Sequence, residues 1–184
     1  MTLIARSTRW LRSERGGATV EFVLTFPILM LVFLSAFELA IFLARQTMLE
    51  RAVDVAIRDV RLHTGRTYTQ AAIRRTVCER AVILPDCEAN LAIEVTRVDR
   101  STYEMPDPAR ACASAGGSLT GAGAVNDGTS DDLMVVRTCY RVRPFFPQTG
   151  LGFQFAQSED GRASMVASAV FVQEPADGTA GGPS

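Results

Sequence analysis

The sequence predicts an α+β protein in which one long N-terminal helix, transmembrane in its first part and amphipathic in its second, packs on a small antiparallel sheet. Three observations carry this. From Phe22 to Phe37 the chain is apolar except for Thr25, Pro27 and Ser35. Beyond it Leu49, Ala52, Val53, Ala56, Ile57 and Val60 recur at three- and four-residue steps, the period of a helix with one buried face. Two later stretches, Leu91 to Val98 and Leu133 to Val142, alternate at the period of half-buried strands.

The apolar run extends to Ala44 if Glu38 is admitted, more than the roughly 20 residues a helix needs to cross a hydrocarbon core. A secretory signal peptide fits less well, because its apolar region is about 7 to 15 residues and ends at a small-residue cleavage site. Here the run passes directly into the amphipathic segment, so a single helix from near Ala18 to about Leu62 is expected, with Gly65 as its stop. Arg6, Arg9, Arg12 and Arg15 precede the run against Glu14 alone, while Arg45 and Arg51 beyond it are balanced by Glu50 and Asp54. The positive-inside bias then keeps the N-terminus in the cytoplasm and puts the rest outside. The expected organisation is a basic cytoplasmic leader over 1–16, a transmembrane helix over 17–45, an extracytoplasmic α+β domain over 46–175 and a disordered tail over 176–184.

Composition narrows the function. The chain has 184 residues, 47% of them hydrophobic, enough for one buried core. Its 19 basic residues, all Arg, face 20 acidic ones for a net charge of -1, which gives no field to gather nucleic acid. One histidine, His63, and four separated cysteines offer no metal-ligand spacing, so neither metal nor cofactor is expected. His63 sits at a helix end, where such a residue is ordinarily solvated or capping. The acidic pairs Asp131-Asp132 and Glu159-Asp160 fall in turn-like contexts that favour local backbone bonds. No enzyme is expected.

The helix start carries the specific signal. It reads Arg15-Gly16-Gly17-Ala18-Thr19-Val20-Glu21-Phe22, with two glycines upstream of an acid at the mouth of the apolar run. A carboxylate at membrane depth costs on the order of 2.5 to 3.5 kcal/mol, so Glu21 needs a partner. Cleavage after Gly16 would supply one, since the new α-amino group of a neighbouring subunit could pair with an acid at the fifth mature position. The Gly16-Gly17 pair offers a protease an unhindered backbone. Pro27 reads as a mild kink of the kind membrane helices tolerate. Glu38, near the outer end, either snorkels to the interface or pairs with an arginine of an assembly partner.

Gly16, four residues and then Glu21-Phe22 resembles the processing motif of type IV prepilin-like proteins. The segment Gly17 to Leu24, with Pro27 and Glu38, is similar to TadE-like and TadF-like proteins of the tight-adherence (Flp) pilus system, and a weaker echo lies at Ser168 to Pro175. The resemblance implies a pilin-like fold and a minor pseudopilin, cleaved by a prepilin peptidase. It would be held in a bacterial inner membrane and engaged with membrane lipid, other pilins or pseudopilins and the inner-membrane assembly platform. Glu21, Phe22, Pro27 and Glu38 would then set helix registration. The competing expectation is an uncleaved single-pass anchor carrying an extracytoplasmic binding or regulatory module.

In the external part Thr69 caps a predicted helix through about Arg80, with Ala72, Ile73, Val77 and Ala81 as its apolar stripe. The expected strands are Leu91 to Val98, Leu133 to Val142 and Ala163 to Gln173, resting on the amphipathic part of the long helix; in the third, Ala and Ser dilute the period and leave it ambiguous. Pro106 to Asp132, rich in Gly, Ala, Ser and Asp, reads as a long mobile loop. Phe145-Phe146 between Pro144 and Pro147, with Phe153 and Phe155 following, reads as hairpin core or as a docking patch for another subunit. Four cysteines in an exported domain point to two disulfides. Three pairings are open; Cys78 with Cys87 and Cys112 with Cys139 is preferred, and buried free thiols are the alternative.

Overall fold

The computed structural model describes residues 17–62, 68–103, 131–156 and 160–173, without the side chain of residue 62. The expected leader and tail, most of the glycine-rich loop, and Gly16, His63 and Cys112 lie outside the described residues. Helix α1 (Gly17–Leu62) runs 46 residues and continues through Pro27, a length of about 69 Å at helical rise.

Its two parts have different surroundings. Up to Phe33 nearly every apolar side chain is bare, with Leu24 at 66% and Ile28 at 67% exposure. In the second part the three- and four-residue stripe is covered, and Leu49, Ala52, Val53, Ala56 and Ile57 are all buried. One helix therefore presents lipid-like chemistry at one end and serves as the spine of a core at the other.

On that spine the predicted helix and three predicted strands form, joined by two short helices that the sequence does not announce. Helix α2 (Gln70–Arg80) starts where the Thr69 side chain accepts from the Ala72 N–H at 3.2 Å, satisfying one of the donors a helix start leaves open. Its buried residues Ile73 and Val77 face α1, against which α2 packs. Helix α3 (Cys87–Asn90) follows at once, and a Cys78–Cys87 disulfide ties the two. Three strands then form an antiparallel sheet in sequence order, β1 (Leu91–Arg97), β2 (Leu133–Val142) and β3 (Ala163–Val172), with helix α4 (Gly150–Phe155) between the last two.

Register explains the burial. Val95 lies opposite Val136 and Leu91 opposite Tyr140, and Met134 opposite Phe171 and Tyr140 opposite Met165, so these side chains share one face. That face meets α1, with Leu91, Ile93, Met134, Val136, Tyr140 and Met165 in one cluster with Leu49 and Val53. Each such side chain contributes about 1.5 to 3 kcal/mol on burial. Alanines at 163 and 167 hold the same parity in β3, which lets the sheet approach the helix closely and accounts for the weak period of this strand in the sequence. Gln46 adds a polar tie, its amide donating to the Val166 carbonyl at 2.9 Å.

On the opposite face Arg137 is 3% exposed and meets Glu94, its cross-strand neighbour, at 2.7 Å. Asp132 is buried and paired with Arg97 at 3.0 Å. Beside it the Asp131 N–H donates to the Gln173 carbonyl and the Gln173 N–H to the Asp132 carbonyl, tying the end of β3 to the start of β2.

Candidate membrane and assembly surface

The connection from β2 to β3 does not stay within the sheet. After Val142 it descends along α1 toward its bare part, and Glu38 holds it there. Both carboxylate oxygens accept from the Phe145 N–H at 3.0 Å, and one also accepts from the Phe146 N–H at 3.1 Å. Glu38 is 3% exposed. Burying a carboxylate is expensive unless hydrogen bonds replace its water, and these three do so. Sequence reasoning sends this side chain to the interface or to a partner's arginine; in the fold its own chain occupies it.

Aromatic contacts extend the seat. Phe37 lies 6.2 Å edge-on from Phe145 and 6.3 Å from Phe146, while Phe42 stacks on Phe155 at 4.6 Å. The Arg45 guanidinium sits 5.0 Å over the Phe145 ring, where the π-face attracts a cation. Lower down, Gly150 adopts φ +51 and comes so close to Ser35 that a Cβ would fall 2.1 Å from the Ser35 hydroxyl oxygen. At Gly152 a Cβ would fall 2.1 Å from the Phe146 carbonyl oxygen, so the turn closes on itself only with glycine there.

The segment is thus neither hairpin core nor a wholly exposed patch. Phe146 and Phe155 are half-buried against α1, and Phe145 and Phe153 stay 55% and 59% exposed. A compositional signal could have found it. Of ten phenylalanines, five lie in α1 and four between 145 and 155, and no charged residue occurs from Pro144 to Ser158.

The other sequence-derived site residues are dispersed along the chain. Gly17, Glu21 and Phe22 are exposed at the helix start, where Phe22 stacks on Phe26 at 5.0 Å. Among the described residues nothing forms an ion pair with Glu21. The Thr25 hydroxyl donates to the Glu21 carbonyl at 2.8 Å, one turn before Pro27. Glu21 and Glu38 are not brought together; they mark the two ends of the bare stretch. Cys139 is disulfide-bonded, and the partner preferred for it, Cys112, lies outside the described residues. Behind the aromatic seat, the buried Tyr140 hydroxyl donates to the Pro85 carbonyl at 2.6 Å. Burial pushes its phenol up to about 12, opposed by the charge of Arg45.

The fold and this surface define a class: a chain whose one long helix offers a bare apolar part, long enough with its flanks to cross a membrane, and a second part that organises a three-stranded α+β domain. Residues 16–58 match the family model described as TadE-like protein, a similarity that covers the helix start, Glu21, Glu38 and most of the buried stripe. No curated protein and no solved structure matches the chain.

Proposed function

We propose that this protein is a minor pseudopilin of a tight-adherence pilus, inserted through α1 in a bacterial inner membrane with its N-terminus cytoplasmic and its α+β domain outside. The observation that carries this reading is the coincidence of the TadE-like match over 16–58 with a helix that is bare and apolar over its first part. A prepilin peptidase cuts after Gly16, and Gly17 becomes the first residue. Glu21 is then exposed on the bare helix, free to meet the new terminus of a neighbouring pilin or pseudopilin. The assembly platform of the inner membrane receives the subunit through the same stretch. No catalytic step by this chain is part of the proposal.

The test is the identity of the mature N-terminus, read by mass spectrometry in cells with and without the peptidase. Gly17 as first residue, lost with the peptidase or in Gly16→Ala, together with reduced piliation on deletion of the protein, is the expected result. An intact leader in peptidase-positive cells, with normal pili in the deletion strain, replaces the proposal with the permanently anchored module.

A further inference from the structure

We infer that the segment from Pro144 to Phe155 is a membrane foot: it enters the outer leaflet beside α1, with Phe145 and Phe153 in contact with lipid acyl chains. The inference rests on the proposed membrane span of α1. Axial arithmetic carries it. A hydrocarbon core of about 30 Å takes about 20 helical residues. Counted from Gly17 or from Glu21, its outer boundary falls between residues 37 and 41, and tilt moves it further along the helix. The segment straddles that level on α1: Gly150 lies against Ser35 and Phe145 and Phe146 against Phe37, with both their N–H groups on Glu38, while Phe155 on Phe42 and Arg45 over Phe145 mark its upper edge. A span that starts at the TadE-like helix mouth therefore carries this connection into the bilayer.

The chemistry of the segment suits that depth. It has no charge from Pro144 to Ser158, and its exposed large apolar side chains are Phe145 and Phe153. Irregular backbone enters lipid only if its polar groups are satisfied. Here Pro144 and Pro147 have no N–H to satisfy, and Glu38 takes those of Phe145 and Phe146. Thr149 donates to the Phe146 carbonyl, and Phe153 and Ala156 bond within the α4 turn. At the upper margin the exposed Arg143 stands where lipid phosphates lie, and Arg45 is buried over the Phe145 ring. A second subunit docking on the same rings would need no such removal of backbone donors, because a protein partner can supply acceptors of its own.

The experiment uses the full-length protein with Trp10, its single tryptophan, changed to Phe, reconstituted as single copies in phosphatidylcholine and phosphatidylglycerol nanodiscs with or without acyl-chain bromination. Tryptophan is placed at Leu29, Phe145, Phe153 or Val172, all exposed positions that accept a larger ring. Val172 lies beside Arg61, at the far end of α1. Brominated lipid should quench Phe145→Trp and Phe153→Trp to about the extent seen for Leu29→Trp and leave Val172→Trp unchanged, with acrylamide giving the reverse order. Quenching at Leu29→Trp without quenching at 145 and 153 overturns the foot and leaves the span intact. Loss of quenching at Leu29→Trp overturns both. If 145 and 153 stay open to acrylamide in nanodiscs and become protected only when other pilins are added, the surface is a protein interface and the inference fails.

Discussion

Glu38 joins two positions 107 residues apart in sequence, and replacing it separates the steric from the electrostatic part of the seat. In Glu38→Ala the N–H groups of Phe145 and Phe146 lose a charged acceptor, a loss of about 1.5 to 3 kcal/mol. Glu38→Gln keeps the shape and one acceptor oxygen, and should fall between wild type and Ala. Amide hydrogen exchange at Phe145 and Phe146 is the direct readout: both should exchange faster in Ala than in Gln. Equal protection in all three proteins would show that the turn holds itself. Tyr140 gives the second residue-scale prediction. Its phenol is raised from 10.0 to about 12 chiefly by burial, so the folded state resists ionisation more than the unfolded one. The contribution is complete below pH 10 and is lost as pH climbs toward 12. Alkaline unfolding followed by circular dichroism should steepen in that window, and Tyr140→Phe should remove the added slope while losing the bond to Pro85.

Elements differ in how far the sequence announces them. The strands were legible because register fixes side-chain parity: once Leu91, Ile93 and Val95 alternate with Ala92, Glu94 and Thr96, only one face can meet the helix. Helix α2 was legible from Thr69 and the stripe Ala72, Ile73, Val77 and Ala81, signals that are local to the chain. The short helices α3 and α4, of four and six residues, were not, because segments of that length have no stability alone and exist only where tertiary contacts hold them. For α4 that hold is Gly150 against Ser35 and Phe155 on Phe42, and it needs the close approach of Gly152 to the Phe146 carbonyl. Gly152→Ala puts a methyl group into backbone that has no rotamer to yield, so the 144–156 segment should leave its seat at a local loss of about 1 to 3 kcal/mol. Limited proteolysis will read this as new cleavage between β2 and β3 with the rest of the domain intact. The Cys78–Cys87 link closes a separation of 9 residues, for which chain entropy gives about 2 to 3 kcal/mol. The double serine variant should be less stable to denaturant by that amount and regain nothing from added oxidant.

At the scale of the whole molecule the division of α1 makes a claim about which residues hold the domain together. Core contacts start in the second part, where Phe42, Met48 and Leu49 join the sheet, and the foot reaches down to Ser35. Residues before that level bury almost nothing within the chain, so whatever they contribute lies in the membrane or in an assembly. A chain cut to 30–184 should therefore keep its disulfides and melt within a few degrees of the full-length protein in mild detergent. A chain cut to 46–184 keeps Leu49, Val53 and the sheet but loses Glu38, Phe37, Phe42 and Arg45 together. It strips the 144–155 segment of every partner it has on α1 between Ser35 and Arg45. That form should fold around its core, lose protection from Pro144 to Phe155, and expose Phe146 and Phe155 to solvent, which drives association through the freed rings. Melting curves and hydrogen exchange on the two truncations decide the matter. If the shorter chain melts like the longer one and keeps the segment protected, the first half of the helix has no part in positioning the foot, and the geometry around Glu38 is a consequence of the domain rather than its attachment to the span.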